Sequence, residues 1–311
     1  MRRLAVVAAA LLGLAAGGAG AQSLVGAREW LPAGSLSLDA LSQRPAERLE
    51  DGRNFYVAFG RLAFRSPDIL GGTARKAGLS CQACHASGFA THAFFIPGLS
   101  DRPGRIDVSN AFWHLRGEDG IDNPLEIPSL RGVKTKDRFG HDARTASLRD
   151  FTRRVIVMEF AGDEPDALLL DALVAYQEKL QPAIETPQPV TLRQDLADIL
   201  DHLDTLRVPL GEENPALASR LVTMIRGQLG FIHERFADEN MRGSRATLEE
   251  WSRQLVGIAE LAENGQWPQA RQHLAALRGA IAAPPPAFAA DLPRSLYDGP
   301  RLAAWLNTPV R

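Results

Sequence analysis

The stretch Cys81-Gln82-Ala83-Cys84-His85 contains both cysteines of a 311-residue chain and is its most informative motif. Two thiols three residues apart, followed at once by a histidine, form the C-x-x-C-H pattern of covalent c-type haem attachment. Each thiol can bond one vinyl group of a single porphyrin, with His85 under the iron as the proximal ligand. A redox or structural disulfide needs no adjacent histidine, and a zinc site needs a second ligand pair. The pattern therefore predicts one covalent haem c.

The first twenty-one residues have the composition of an export signal. Arg2 and Arg3 precede an apolar stretch, residues 4–16, that is too short to span a bilayer comfortably. Ala19-Gly20-Ala21 then offers a cleavage site before Gln22. An uncleaved anchor is the alternative, and the small residues at the end of the stretch argue against it. We expect a signal peptide over 1–21 and a mature protein in the periplasm that has no membrane span.

The charge balance of the mature chain disfavours nucleic acid as a partner. The full chain has 35 basic and 37 acidic residues; removal of Arg2 and Arg3 leaves 33 against 37, a net charge of −4 with histidine neutral. Nucleic-acid-binding proteins show the opposite balance. About 290 mature residues, in a chain with 45% apolar residues, are enough for two compact units, each with its own core.

The two halves of the mature chain differ in pattern. Residues 22–187 are interrupted every few positions by glycine and proline, which predicts short helices and loops around a cofactor, with few or no sheets. Residues 188–283 show apolar positions at helical spacing. Four helix starts are predicted there, at Thr191-x-x-Gln194, Asn214-Pro215, Thr247-x-x-Glu250 and Pro268. The predicted fold class is therefore all-α: a c-type cytochrome haem domain, an antiparallel four-helix bundle, and a C-terminal tail over 284–311.

The sixth iron ligand is left open by the sequence between Met158, His141 and none. Met158 ends an apolar helix in the haem half and would give a His/Met iron of raised potential, although a methionine in an apolar run is also a common core residue. His141 lies in a glycine-containing turn, and its alternative role is a surface pair with Asp142. The histidines of the second half, His202, His233 and His273, are expected to be solvated.

Residues 131–154 are strongly basic, with eight Lys and Arg residues against three Asp, a net charge of +5 in an otherwise acidic protein. We expect one or two of these cations, Arg131 in particular, to bind the haem propionates through charge-assisted hydrogen bonds. The others would attract an acidic redox partner or an anion. A solvated helix face is the alternative for each of them.

Several stretches resemble the haem domain of bacterial dihaem cytochrome c peroxidases, a superfamily that includes the maturation enzyme of methylamine dehydrogenase. They are Gly60-Arg61-Leu62-Ala63-Phe64-Arg65-Ser66-Pro67, Gly78-Leu79-Ser80 before the cysteines, Ile127-Pro128-Ser129-Leu130-Arg131-Gly132, Phe139-Gly140-His141-Asp142, and Ser147-Leu148-Arg149-Asp150. The resemblance covers about residues 58–182 and leaves the predicted bundle unexplained. It implies a methionine ligand on the later helix, which carries over to Met158.

The chain departs from that family in having one C-x-x-C-H motif where the dihaem peroxidases need two. We therefore expect a periplasmic monohaem c-type cytochrome that transfers electrons to or from a redox partner protein. The alternatives are a monohaem peroxidase-like oxidoreductase with an open iron and a haem-based sensor. Whether the protein is an enzyme is left open.

Overall fold

A computed structural model describes residues 38–52, 54–238 and 240–307. The predicted signal peptide lies outside these residues. The elements of the first half are α1 (Leu38–Ser42), β1 (Gln43–Pro45), α2 (Phe55–Phe64), α3 (Gly72–Lys76), α4 (Cys81–Cys84), β2 (Arg105–Ile106), β3 (Leu125–Glu126), α5 (Leu148–Arg154) and α6 (Ala167–Lys179). Those of the second half are β4 (Pro187–Pro189), α7 (Leu192–Gly211), α8 (Pro215–Arg235), α9 (Arg242–Glu263), α10 (Trp267–Ala282), α11 (Pro286–Asp291) and α12 (Gly299–Asn307).

Helices α2 and α6 form the centre of the first half. Side-chain caps start both helices: Asn54 accepts a hydrogen bond from the Val57 amide, and Asp166 accepts one from the Leu169 amide. The two helices cross at Gly60, where a Cβ atom would lie only 1.9 Å from the carbonyl oxygen of Ala172. A glycine at this position therefore permits the backbone-to-backbone approach that brings the two apolar faces together.

The sheets are minimal, in agreement with the mostly helical fold that the sequence predicts. Strand β1 pairs antiparallel with β4, with Gln43 opposite Pro189, and β2 pairs antiparallel with β3, with Arg105 opposite Glu126. The proline-rich segment between the two halves thus ends in a strand, Pro187–Pro189, which pairs with residues near the start of the described chain.

The second half contains four long helices, α7 to α10. Each packs against the next, and α10 also packs against α7. Thr191 and Asn214 cap α7 and α8 through hydrogen bonds from the amides of Gln194 and Leu217, as the sequence predicts. The predicted start of α9 at Thr247 is wrong: the helix begins at Arg242, and the Thr247 hydroxyl donates to the Gly243 carbonyl within it. Because Thr247 lies inside the helix and its hydroxyl bonds a carbonyl one turn earlier, it does not act as the cap that the Thr-x-x-Glu pattern suggests.

The two halves share one apolar core and a buried cluster of charged groups. In that cluster, Arg61 donates to Glu47 and to Asp198 at 2.6 Å each, and Arg65 donates to Asp198 at 2.7 Å and to Glu47 at 3.2 Å. The Tyr176 hydroxyl donates to Glu47 at 2.7 Å. Asp198 lies on α7, Arg61 lies on α2, and Arg65 follows the last residue of α2, so the cluster joins the two halves. The arginine charges hold the pKa of Asp198 below its usual range despite its burial.

His202 contacts the same region. It lies on α7 with 1% of its surface exposed, and its Nε2 atom has no hydrogen-bond partner within the described chain. Burial, followed by the charges of Arg61 and Arg65, holds the pKa of His202 well below its usual value. The expectation of a solvated side chain is therefore wrong for His202, because the side of α7 that carries it packs against the first half rather than facing water.

The C-terminal segment closes over the second half. Asp291, on α11, accepts hydrogen bonds from the amide and the hydroxyl of Ser244 in the first turn of α9. Arg235 donates to the carbonyls of Leu296 and Leu41, which joins this segment to α1. Within the described ranges, no helix is both long and apolar enough to cross a membrane.

Candidate functional site

The C-x-x-C-H motif forms a single helical turn and the residue that ends it. Cys81–Cys84 is helical, and the His85 amide donates to the Cys81 carbonyl at 2.8 Å. His85 then leaves the helical conformation, and the next turn contains Ser87 at a positive φ of 52°. The turn places both thiols and the imidazole on the wall of one cavity.

The imidazole of His85 is held in one orientation. Its Nδ1 atom lies 3.0 Å from the carbonyl oxygen of Pro128. Because a carbonyl can only accept, Nδ1 must carry the proton, and the lone pair remains on Nε2. Burial lowers the pKa of His85 to about 4, against a smaller opposing effect of the Pro128 carbonyl, so the ring is neutral at pH 7. A neutral imidazole with its other nitrogen bonded to a carbonyl is the usual state of a metal-ligating histidine.

The cavity has the size and the apolar lining of a cofactor site. Its volume is about 640 Å³, within the roughly 300–1,000 Å³ common for small-molecule sites. Its apolar wall includes Leu70, Phe94, Ile106, Trp113, Ile127 and Phe160. Burial raises the pKa of Cys81 and of Cys84 to about 12, so both thiols are protonated at neutral pH. The cavity therefore brings two thiols and a neutral imidazole together against a largely apolar surface.

The wall of the cavity away from the motif is built by two segments in close contact. Trp113 is buried, its indole N–H donates to the Asp107 carbonyl at 2.9 Å, and its ring packs against Phe160. A Cβ atom on Gly117 would lie 2.7 Å from the carbonyl oxygen of Met158. The loop around Gly117 therefore packs directly on the end of the helix that carries Met158.

Both sequence candidates for a sixth ligand, Met158 and His141, lie on the wall of the cavity that His85 also lines. Met158 belongs to a π-helical turn, Val155–Glu159, which continues α5, and its side chain is 40% exposed. Turns of this kind are frequent at functional sites. Met224 and Met241 are buried in the second half, and neither lines this cavity. The choice between Met158, His141 and no sixth ligand stays open.

Arg131 is not part of the cavity wall. Its guanidinium donates to the Ser87 carbonyl at 3.0 Å and lies 4.5 Å from the centre of the Phe89 ring. It thus supports the turn that follows His85. The cations that do line the cavity are Arg116, Lys136, Arg138 and Arg154.

Two further residues of the site, Pro128 and Glu159, were assigned no role from the sequence, although Pro128 lies in one of the stretches that resemble the peroxidases. Pro128 lies 43 positions from His85, and its contribution is a backbone carbonyl, which any residue type supplies. Glu159 follows Met158 on the cavity wall, and its pKa is raised to about 7 by burial, with Arg154 opposing and Asp142 reinforcing the shift. No group of three or more His, Cys, Asp and Glu side chains in the described part of the chain is arranged to hold a metal ion by itself.

Comparison with known proteins adds no relative to this description: no family model, curated protein or solved structure matches the chain.

Proposed function

We propose that this protein is a periplasmic monohaem c-type cytochrome that transfers electrons, built from a haem domain over 22–187 and an antiparallel four-helix bundle over 188–283. The observation that carries the proposal is the state of His85, whose Nδ1 is bonded to Pro128 while two thiols line the same cavity. A redox dithiol would need neither this histidine nor an apolar cavity beside it. Covalent haem needs all three features.

The residues present fit the haem. Cys81 and Cys84 would hold the porphyrin as thioethers, His85 would ligate the iron, and Met158 or His141 would offer a ligand from the remaining wall. When bound, the haem supplies a one-electron ferric–ferrous couple. The protein's own contribution is to fix the imidazole through the Pro128 carbonyl and to exclude water with the apolar wall. Both burial and a hydrogen-bonded proximal histidine tune the potential of such a couple.

One observation favours a second candidate, a peroxidase-like oxidoreductase with an open iron. Glu159 places a carboxyl group on the cavity wall next to Met158. A carboxyl group there could accept a proton from a small substrate or donate one to it, as general acid–base catalysis requires. If Met158 ligates the iron, this chemistry is blocked. Optical spectra with and without carbon monoxide separate the two functions, because only an open iron binds the gas promptly.

The proposal is tested first by haem attachment. Cys81→Ala or Cys84→Ala removes one thiol each, so normal two-thioether haem should be lost in either variant. The measurements are haem staining of a denaturing gel and the pyridine–haemochrome spectrum, with Met224→Ala as a control that leaves the cavity intact. Unaltered staining and an unaltered spectrum in either cysteine variant would refute the assignment.

A further inference from the structure

Three cations on the cavity wall, Arg116, Lys136 and Arg138, have no carboxylate partner within the described residues, and two of them, Lys136 and Arg138, lie on one short segment. Both line the cavity, whereas Asp137, which lies between them in the sequence, does not. Four other cations of the same basic segment are close to an acidic side chain: Lys134 to Glu50, Arg149 to Asp171, Arg153 to Glu164, and Arg154 to Asp142. Lys136 and Arg138 therefore differ from their neighbours in facing the cavity without a compensating charge from the protein.

The backbone holds this pair in place from both sides. Before Lys136, the Gly132 amide donates to the Leu180 carbonyl at 2.9 Å, and the side chain of Val133 is buried. After Arg138, the Phe139 amide donates to the Thr145 carbonyl at 2.8 Å. Val133 and Phe139 pack in one small apolar cluster. The short segment between these anchors thus keeps both cations at the cavity.

Two acidic groups of the same wall, Glu126 and Asp142, are already engaged. Glu126 accepts a hydrogen bond from Arg102 at 2.8 Å, and Asp142 lies 3.9 Å from both Arg144 and Arg154. Arg131 does not line the cavity: one guanidinium nitrogen donates to the Ser87 carbonyl and the group packs on Phe89, while its Nε and Nη2 atoms are buried without a hydrogen-bond partner in the described residues. A ligand that brings two negative charges to this part of the wall would meet Lys136 and Arg138 together, whereas Arg116 lies on a different segment.

We propose that Lys136 and Arg138, rather than Arg131, bind the two propionate carboxylates of the haem. This inference rests on the proposed function. The ligand that the cavity fits is apolar over most of its surface and dianionic at one edge, and two neighbouring cations match that edge. Charge-assisted hydrogen bonds of ammonium and guanidinium groups to carboxylates are stronger than neutral ones, so they would fix the rotation of the porphyrin in the cavity.

The test is resonance Raman spectroscopy of the full-length, haem-loaded protein, because the propionate-bending band reports hydrogen bonds to these carboxylates directly. Lys136→Gln and Arg138→Gln should each move the band to lower frequency, and the double variant should move it further. Lys136→Arg, which keeps the positive charge, should leave the band at its wild-type frequency. Arg116→Gln is the matched control, since it removes a cation from the same cavity wall. Arg131→Gln tests the residue that the sequence favoured.

The outcomes separate the inference from the proposed function. An unchanged band in both single variants, or a shift with Arg131→Gln in their place, would overturn the inference while covalent haem remains established. An equal shift with Arg116→Gln would also overturn it, because it would reveal a general effect of charge. A wild-type chain without covalent haem would overturn both proposals at once.

Discussion

The buried charge cluster between α2 and α7 gives the sharpest prediction about stability. Asp198→Asn keeps the size of the side chain but removes one of the two carboxylates that accept hydrogen bonds from both Arg61 and Arg65. The side chains of these arginines are only 7% and 9% exposed. Water therefore cannot replace the lost partner. Removing one member of a buried ion pair typically costs about 3–5 kcal/mol of unfolding free energy.

The pKa of Glu47, the other carboxylate of the cluster, gives an independent magnitude. The arginine charges and the Tyr176 hydroxyl outweigh the effect of burial and lower that pKa from 4.5 to about 2. At about 1.4 kcal/mol per pKa unit, the difference corresponds to about 3 kcal/mol for one carboxylate of the cluster. Both routes give about 3 kcal/mol, so Asp198→Asn should lower the free energy of unfolding by about that amount.

The assay is urea unfolding at pH 7, followed by far-ultraviolet circular dichroism. Asp171→Asn is the matched control because it removes a carboxylate from the exposed pair with Arg149, where less than about 1 kcal/mol is expected. The pKa of Asp198 is lower in the folded protein than its unfolded value of 3.8, so the charged carboxylate stabilises the fold at pH values above 3.8. The difference between Asp198→Asn and wild type should therefore persist at pH 5 and shrink only below about 3.8. Equal effects of the two substitutions would refute the reasoning.

Three other predictions concern single side chains. Met158→Ala should open the sixth position and lower the potential of the haem-loaded protein, whereas Met224→Ala should not; identical optical spectra of both variants would exclude Met158 as a ligand. His202 has a lowered pKa in the folded state, so wild-type stability should decline as the pH falls below about 6.5, and His202→Gln should flatten that decline in urea titrations. Gly60→Ala should lower the thermal midpoint because its Cβ would meet backbone at 1.9 Å, whereas Gly72→Ala, with open space around it, should not.

Local patterns in the sequence were sufficient for part of this description. The C-x-x-C-H motif predicted that two thiols and an imidazole serve one haem, and all three do line one cavity. The caps at Thr191 and Asn214 predicted the starts of α7 and α8. In each case, the residues that act lie within a few positions of one another. The Thr247 pattern gave a wrong helix start. Thr247 lies inside α9, where its hydroxyl donates to the Gly243 carbonyl instead of capping the helix.

Features that depend on distant contacts escaped prediction. The burial of His202 follows from packing of α7 against the first half, and the Pro128 contact with His85 spans 43 positions. The proline-rich segment after Gln181 has the composition of a linker, yet its end pairs as a strand with Gln43–Pro45. A short sequence pattern cannot predict these contacts, because the residues involved are far apart in the sequence and only the tertiary structure brings them together.

The charge cluster also limits how freely the two halves can be exchanged between proteins. A chimera that joined the helices of the second half to another C-x-x-C-H domain would bring Asp198 into an interface without Arg61 and Arg65. The reverse exchange would leave two guanidinium groups to share Glu47 alone. Either hybrid would bury an uncompensated charge. Substitutions in one half at these charged positions are therefore expected to be accompanied by substitutions in the other half. A chimera joined at β4 should fold only if helix α2 and the following Arg65 are transferred with the second half.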